Sequence, residues 1–100
     1  MKAKGSSVAE ERAERTCLVR NKMGLHARPA ALIVQTANKF PCDVILLKDG
    51  QEVNAKSIMG VLMLAAAKGS EILVRAEGEQ ASACVDAIDQ LFLKGFNEAM

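Results

Sequence analysis

An Asp49-Gly50 pair between two short segments constrains the fold of this chain more than any other sequence feature. The apolar run Val44–Leu47 before it is too short and too uniformly apolar for a free-standing helix, so it indicates a strand over 43–48. Asp and Gly both tolerate the positive φ that the two central positions of a tight hairpin turn require. The sequence therefore predicts an antiparallel hairpin whose returning strand covers 51–54.

Three segments, 27–37, 58–67 and 80–96, repeat apolar residues at the spacing of an amphipathic helix. Ser57 is a typical N-cap of the second segment, and Gly69 is a typical residue for closing it. The positions expected to face the core are Ala30, Ile33, Val34, Ala37, Ile58, Val61, Leu62, Ala65, Ala81, Cys84, Val85, Ile88, Leu91 and Phe92.

Two further strands are predicted over 16–20 and 72–77, where short apolar or β-branched runs end in loop residues. Residues 1–15 are polar; Ser7–Glu10 fits a capping box, but almost no apolar face follows it, so a frayed helix or disorder is expected there. Residues 16–100 then form one domain. The order strand, helix, strand, strand, helix, strand, helix predicts an α+β domain with helices on one face of a mostly antiparallel sheet.

The only histidine, His26, lies where a loop becomes the first helix, in the stretch Gly24-Leu25-His26-Ala27-Arg28-Pro29-Ala30-Ala31. Pro29 marks the first turn, because an amide at that position has no intrahelical acceptor to lose. The backbone amides of Ala27 and Arg28 would then be free, and the positive end of the helix dipole would lie beside them. An anion attached to His26 would meet donors already in place.

This arrangement favours transfer of a phosphoryl group to the imidazole. A neutral imidazole is a good nucleophile at neutral pH, and the Arg28 guanidinium with the two amides can hold the charge of the phosphoryl group. Gly24 and Pro29 would shape the loop. Two alternatives remain at this point: His26 is only a capping or surface histidine, or Arg28 only pairs with a nearby carboxylate.

Composition disfavours several other classes of function. A net charge of +1 and three Phe without Trp or Tyr give little basis for nucleic-acid binding. No apolar run approaches the roughly 18 to 20 residues that cross a bilayer, and no secretory signal is visible, so we expect a cytoplasmic protein without membrane insertion. Cys17, Cys42 and Cys84 are widely spaced and read as reduced packing residues, the alternative being a reactive thiol. The sequence shows no metal-ligand cluster and no nucleotide-binding loop, so we expect no cofactor.

The stretch from Gly24 to Ala30 resembles the active-site signature of HPr, the histidine-containing phosphocarrier of the bacterial phosphotransferase system. A second block, Lys56-Ser57-Ile58-Met59-Gly60-Val61, resembles the regulatory serine region of the same family and lies at the expected distance downstream. The resemblance runs from about Thr16 to about Phe96. Two separate motifs in the correct order make it specific.

The resemblance implies the open-faced β-sandwich of HPr, with its strands in the order first, fourth, second, third. It implies that Nδ1 of His26 accepts a phosphoryl group from phospho-enzyme I and passes it to an A-type domain of an enzyme II complex in phosphoenolpyruvate-dependent sugar transport. It also implies regulatory phosphorylation of Ser57 and partner docking at Ile58, Met59 and Met63. Core filling is the alternative for the two methionines.

Further partners that the resemblance implies are an HPr kinase and a transcriptional regulator, and we expect the chain to be a monomer. The alternative function is a regulatory binding module, or the HPr of a nitrogen-related phosphotransferase branch that controls other proteins rather than sugar uptake. A third is an HPr-like domain detached from a larger fusion. The presence of His26 argues against a paralogue that has lost the nucleophile.

Overall fold

The computed structural model describes residues 11–100 as one four-stranded antiparallel sheet with its helices on one face. In chain order the elements are β1 (Arg12–Leu18), α1 (Ala27–Ala37), β2 (Asp43–Lys48), β3 (Gln51–Asn54), α2 (Ile58–Met63), β4 (Glu71–Glu77), α3 (Ala81–Leu93) and a 3₁₀ turn (Gly95–Asn97). The strand order is β1-β4-β2-β3. The predicted α+β open-faced sandwich and its strand order are therefore confirmed.

The β2–β3 hairpin turns at Asp49 and Gly50, whose φ angles are +50° and +82°. Lys48 lies opposite Gln51 in the register of the two strands, so the loop has two residues, as predicted. The predicted capping box at Ser7–Glu10 lies outside the described residues.

β1 begins at Arg12, whereas the sequence predicted a strand from residue 16 and a frayed helix before it. Glu14 lies opposite Arg75 of β4, and its Oε2 is 2.6 Å from Arg75 Nε. Arg15 turns to the helix layer, where its guanidinium nitrogen is 3.1 Å from a carboxylate oxygen of Asp89 in α3. Residues 12–15 are thus a polar edge strand held by backbone pairing and by charges on both faces, and the expectation of a frayed helix or disorder is wrong for them.

α2 ends at Met63, whereas the predicted helix continued to Ala67. Ala65 has a φ of +48°, which is outside the helical region, and the carbonyl oxygen of Ala66 accepts a hydrogen bond of 2.9 Å from the backbone amide of Leu25. The run of alanines has high helix propensity, so a tertiary contact with the loop before α1 overrides it here.

The core lies between the sheet and the helices, and most of the predicted core positions are buried in it. Val34, Leu62 and Leu91 are only partly buried. Ile58 and Ala65 were predicted to face the core but are exposed, because α2 is short and its buried side is completed by Leu64 and Ala66 instead.

The last predicted helix, over 80–96, is shorter in the structure. α3 ends at Leu93, and Phe96 adopts a φ of +56° within the 3₁₀ turn that follows. Phe96 is buried, with its ring edge-on to Phe92 at a centroid distance of 5.0 Å. This turn redirects the C-terminal residues towards the loop that precedes α1, where Ala99 accepts a hydrogen bond of 2.8 Å from the backbone amide of Lys22.

Candidate functional site

His26 is the N-cap residue of α1, with its backbone in the extended region at φ −80° and ψ −165°. Its carbonyl oxygen accepts the first helical hydrogen bond from Ala30 at 3.0 Å, but its imidazole makes no capping hydrogen bond. The side chain is 39% exposed. The backbone alone therefore fills the capping role, and the imidazole is not needed for it.

The loop before His26 is held by hydrogen bonds to Gly24. Gly24 has a φ of +70°, and its carbonyl oxygen accepts hydrogen bonds from the His26 amide at 3.0 Å and from Asn21 Nδ2 at 2.8 Å. A Cβ at Gly24 would lie 2.4 Å from the carbonyl oxygen of Ala66. Pro29 is buried in the first turn of α1. The loop is therefore fixed against the segment after α2.

The amides of Ala27 and Arg28 lie at the first two positions of α1 and have no acceptor within residues 11–100. The Arg28 side chain is exposed, and its guanidinium forms no ion pair with a carboxylate of the described chain. The two amides thus lie at the positive end of the helix dipole, directly after His26 in the chain. An anion at this helix terminus would meet two free amides.

Sequence reasoning missed a carboxylate that contacts the imidazole. Both carboxylate oxygens of Glu98 lie 2.9 Å from His26 Nε2. An ionised carboxylate only accepts hydrogen bonds, so Nε2 carries the proton in this contact and Nδ1 of the neutral ring keeps its lone pair. Seventy-two positions separate the two residues in the sequence, and no local pattern could have joined them.

Glu98 is also held by Asn21, the one polar side chain of the described residues that is fully buried. Asn21 Nδ2 donates to Glu98 Oε1 at 3.0 Å. The hydrogen bond from His26 is the main cause that lowers the pKa of Glu98 below its ordinary value; partial burial opposes the shift, and Asn21 and the nearby Arg28 add to it. The carboxylate is therefore kept ionised and in place.

Ser57 is the N-cap of α2, and its Oγ accepts a hydrogen bond of 3.1 Å from the backbone amide of Gly60. The three predicted docking residues lie on α2 and are exposed: Ile58 to 44%, Met59 to 68% and Met63 to 65%. Core filling does not account for the two methionines. The segment after α2 contacts the loop before His26, and α1 and α2 are in contact with each other.

Replacing Ser57 with alanine is expected to lower the free energy of unfolding by about 1 kcal/mol, because the amide of Gly60 loses its acceptor. Urea denaturation measures the change. Ser82→Ala, an exposed position in the first turn of α3, is the matched control and should leave the midpoint nearly unchanged. Equal midpoints for the two variants would contradict the capping role.

The three cysteines are poor competitors for the role of nucleophile. Cys17, Cys42 and Cys84 are free thiols and are buried. Burial is the main cause that raises the pKa of Cys17 and of Cys84, each to about 12, so neither forms a thiolate readily.

Residues 11–100 contain no group of three His, Cys, Asp or Glu side chains that could hold a metal ion. None of the helices in that range is long and apolar enough to span a membrane.

The chain is similar to known proteins over most of its length. The family model described as "PTS HPr component phosphorylation site" matches residues 13–94. The phosphocarrier protein HPr of Xylella fastidiosa strain 9a5c is 49% identical over 85 residues, which cover 85% of this chain and 96% of that protein. The HPr-like protein Crh of Bacillus subtilis strain 168 is 61% identical over 61 residues, which cover 61% of this chain and 72% of that protein.

Among solved structures, that of HPr-C-His from Thermoanaerobacter tengcongensis matches with a TM-score of 0.84 and 43% identity, covering 88% of this chain and 99% of that one. The family model spans most of the chain, including both the His26 loop and the Ser57 segment. The chain belongs to the HPr family of phosphocarrier proteins of the phosphotransferase system.

Proposed function

We propose that this protein carries a phosphoryl group on His26, accepting it from phospho-enzyme I and passing it to A-type domains of enzyme II complexes in sugar transport. The observation that carries the proposal is a 39% exposed imidazole next to the unpaired amides of Ala27 and Arg28. Membership of the HPr family supports it. The protein would work in the cytoplasm as a monomer, with protein partners and no cofactor.

The transfer step uses Nδ1 of His26 as the nucleophile. Its lone pair forms a bond to phosphorus while the N–P bond of the donor phosphohistidine breaks, and that electron pair returns to the donor ring. The Arg28 guanidinium and the amides of Ala27 and Arg28 hold the phosphoryl oxygens. Because these donors are few and exposed, they stabilise the phosphohistidine without trapping it, and the group can leave for an acceptor.

The test is incubation of the protein with enzyme I and phosphoenolpyruvate, followed by ³¹P NMR and intact mass measurement. We expect one phosphoryl group per chain, labile in acid and stable in base, which distinguishes a phosphohistidine from a phosphoserine. Absence of labelling, or an acid-stable phosphate, would overturn the proposal. Transfer from the labelled protein to a panel of enzyme II A-type domains then identifies its acceptor.

Replacing Arg28 with alanine is expected to slow phosphoryl transfer by about tenfold, because a hydrogen bond to a charged group contributes on the order of 1.5 kcal/mol. Rapid-quench kinetics with phospho-enzyme I measure the rate. Arg12→Ala, at the start of β1 and away from the loop, is the matched control and should transfer at the wild-type rate. An unfolded Arg28→Ala protein would show instead that this arginine is structural.

Ser57 is proposed as a second, regulatory phosphorylation site. Its side chain is partly exposed at the start of α2, and a phosphate there would add negative charge next to Ile58 and Met59, which are exposed. The modified protein would keep its fold and change its choice of partner. Mass spectrometry after incubation with an HPr kinase and ATP should find one phosphate on Ser57, and an unmodified serine would contradict this site.

The alternative is a regulatory binding module, or an HPr of a nitrogen-related branch, that controls other proteins such as a transcriptional regulator. Similarity to the HPr-like protein Crh and the exposed surface at Ile58, Met59 and Met63 favour it. The phosphotransfer assay separates the two. A protein that is labelled by enzyme I but donates to no sugar-specific A-type domain would support the regulatory alternative.

A further inference from the structure

The carboxylate of Glu98 holds the ring nitrogen of His26 that the transfer step does not use. Its two oxygens are each 2.9 Å from Nε2, which is an ordinary distance for an N–H···O hydrogen bond. The proton on Nε2 therefore points at a negative charge, and the lone pair of Nδ1 is left for an incoming phosphorus atom. One contact thus selects the tautomer that the reaction needs.

Several independent contacts hold Glu98 in this place. The 3₁₀ turn before it contains Phe96 and Asn97 at φ angles of +56° and +60°, and the Phe96 side chain is buried in the core. Asn21 Nδ2 donates to Glu98 Oε1 at 3.0 Å. The residue after Glu98 is tied to the amide of Lys22 by a hydrogen bond of 2.8 Å. The Glu98 side chain is only 11% exposed, so it is a fixed acceptor rather than a mobile surface charge.

We propose that Glu98 is a positioning residue for phosphoryl transfer, which fixes the Nε2–H tautomer of His26 and balances the charge of the imidazolium that the transfer creates. The inference rests on the carrier function proposed above. When Nδ1 forms its bond to phosphorus and the donor N–P bond breaks, the proton stays on Nε2. The ring then carries a positive charge that faces the Glu98 carboxylate.

The same contact favours the reverse step. A phospho-imidazole whose second nitrogen stays protonated releases a neutral ring when its N–P bond breaks, whereas a deprotonated one would release an anion. Glu98 keeps that proton in place in both directions, so the ring that loses the phosphoryl group leaves as a neutral imidazole. This is the arrangement by which a buried carboxylate supports a catalytic histidine in hydrolases, applied here to a group carrier.

The first test uses ¹⁵N NMR of the histidine ring in the unphosphorylated protein, above the pH at which the ring loses its extra proton. We expect the wild-type Nε2 and Nδ1 shifts to report a single tautomer with the proton on Nε2. In Glu98→Ala the shifts should move towards the tautomer mixture of a free imidazole. Identical shifts in the two proteins would overturn the inference.

The second test measures transfer from phospho-enzyme I. With Glu98→Ala as the substrate of enzyme I, we expect kcat to fall by about tenfold, because one charge-assisted hydrogen bond is lost. The KM of enzyme I for the carrier should stay unchanged. Glu98→Gln keeps an oxygen acceptor but not the charge, and its kcat should lie between that of the wild type and that of Glu98→Ala. Glu79→Gln, an exposed carboxylate just before α3, is the matched control and should behave as wild type.

These outcomes separate positioning from other roles. If Glu98 only anchored the C-terminal residues for docking, KM would rise and kcat would not fall, which would overturn the inference. A kcat within about twofold of that of Glu79→Gln would do the same. Failure of the carrier function itself would appear differently, as wild-type protein that takes no phosphate, while the tautomer measurement would still test the contact between Glu98 and Nε2.

Discussion

A His26→Ala protein is expected to take up no phosphate from phospho-enzyme I and to unfold cooperatively like the wild type. His26 is the only histidine of the chain, and the three thiols are buried. Its imidazole makes no capping hydrogen bond, so α1 keeps its backbone N-cap when the ring is removed. Intact mass spectrometry after incubation with enzyme I and phosphoenolpyruvate measures the uptake, and circular dichroism reports the fold.

The matched control is Gln35→Ala, an exposed position on the same helix, which should be labelled as fully as the wild type. Equal labelling of the His26→Ala protein would show that the phosphoryl group is attached elsewhere. If that label were stable in acid, a hydroxyl side chain would be the acceptor, and the role assigned to His26 would have to be abandoned.

The features predicted correctly from the sequence have local causes. The hairpin follows from the two residues of its turn, Asp49 and Gly50, which both adopt positive φ. The bounds of α1 follow from a proline in the first turn and an apolar stripe that ends before Pro41. The unpaired amides of Ala27 and Arg28 follow from the same helix start, because the first amides of a helix have no intrahelical acceptor.

The features that the sequence did not predict depend on contacts between residues far apart in the chain. The start of β1 is polar, and its strand character shows only when Glu14 is placed opposite Arg75. The run of alanines after α2 favours a helix locally, and only the hydrogen bond from Leu25 to Ala66 explains its early end. Neither pairing leaves a signal in the local sequence.

Glu98 is the most consequential of these omissions. Gly95, with a φ of +59°, is a typical residue for ending a helix, but the helical pattern through Phe92 favoured continuation of α3, and nothing in the sequence indicates that Phe96 adopts a positive φ. That turn is held by packing of Phe96 into the core against Phe92. Local sequence therefore accounts for the two amides and Arg28, whereas the carboxylate that contacts Nε2 is placed by the tertiary fold.

Replacing Gly24 with alanine is expected to lower the free energy of unfolding by about 3 kcal/mol, which combines the strain of a non-glycine residue at positive φ with overpacking. The φ of Gly24 is +70°, and a Cβ there would lie 2.4 Å from the carbonyl oxygen of Ala66 and 3.1 Å from the Cα of Ala67. Both neighbours are backbone atoms, so no side-chain rotation relieves the contact. Urea denaturation measures the loss.

Gly69→Ala is the matched control, because Gly69 has a φ of +93° but no atom within 4 Å of the added Cβ. Its cost should be the backbone strain alone, about 1 kcal/mol. The difference between the unfolding free energies of the two variants then measures the free energy needed to separate the His26 loop from the segment after α2. Since that contact also places the imidazole, Gly24→Ala should slow phosphoryl transfer under conditions where it remains folded, and Gly69→Ala should not. Equal stabilities would mean that the loop leaves Ala66 at no cost and that the close approach does not position His26.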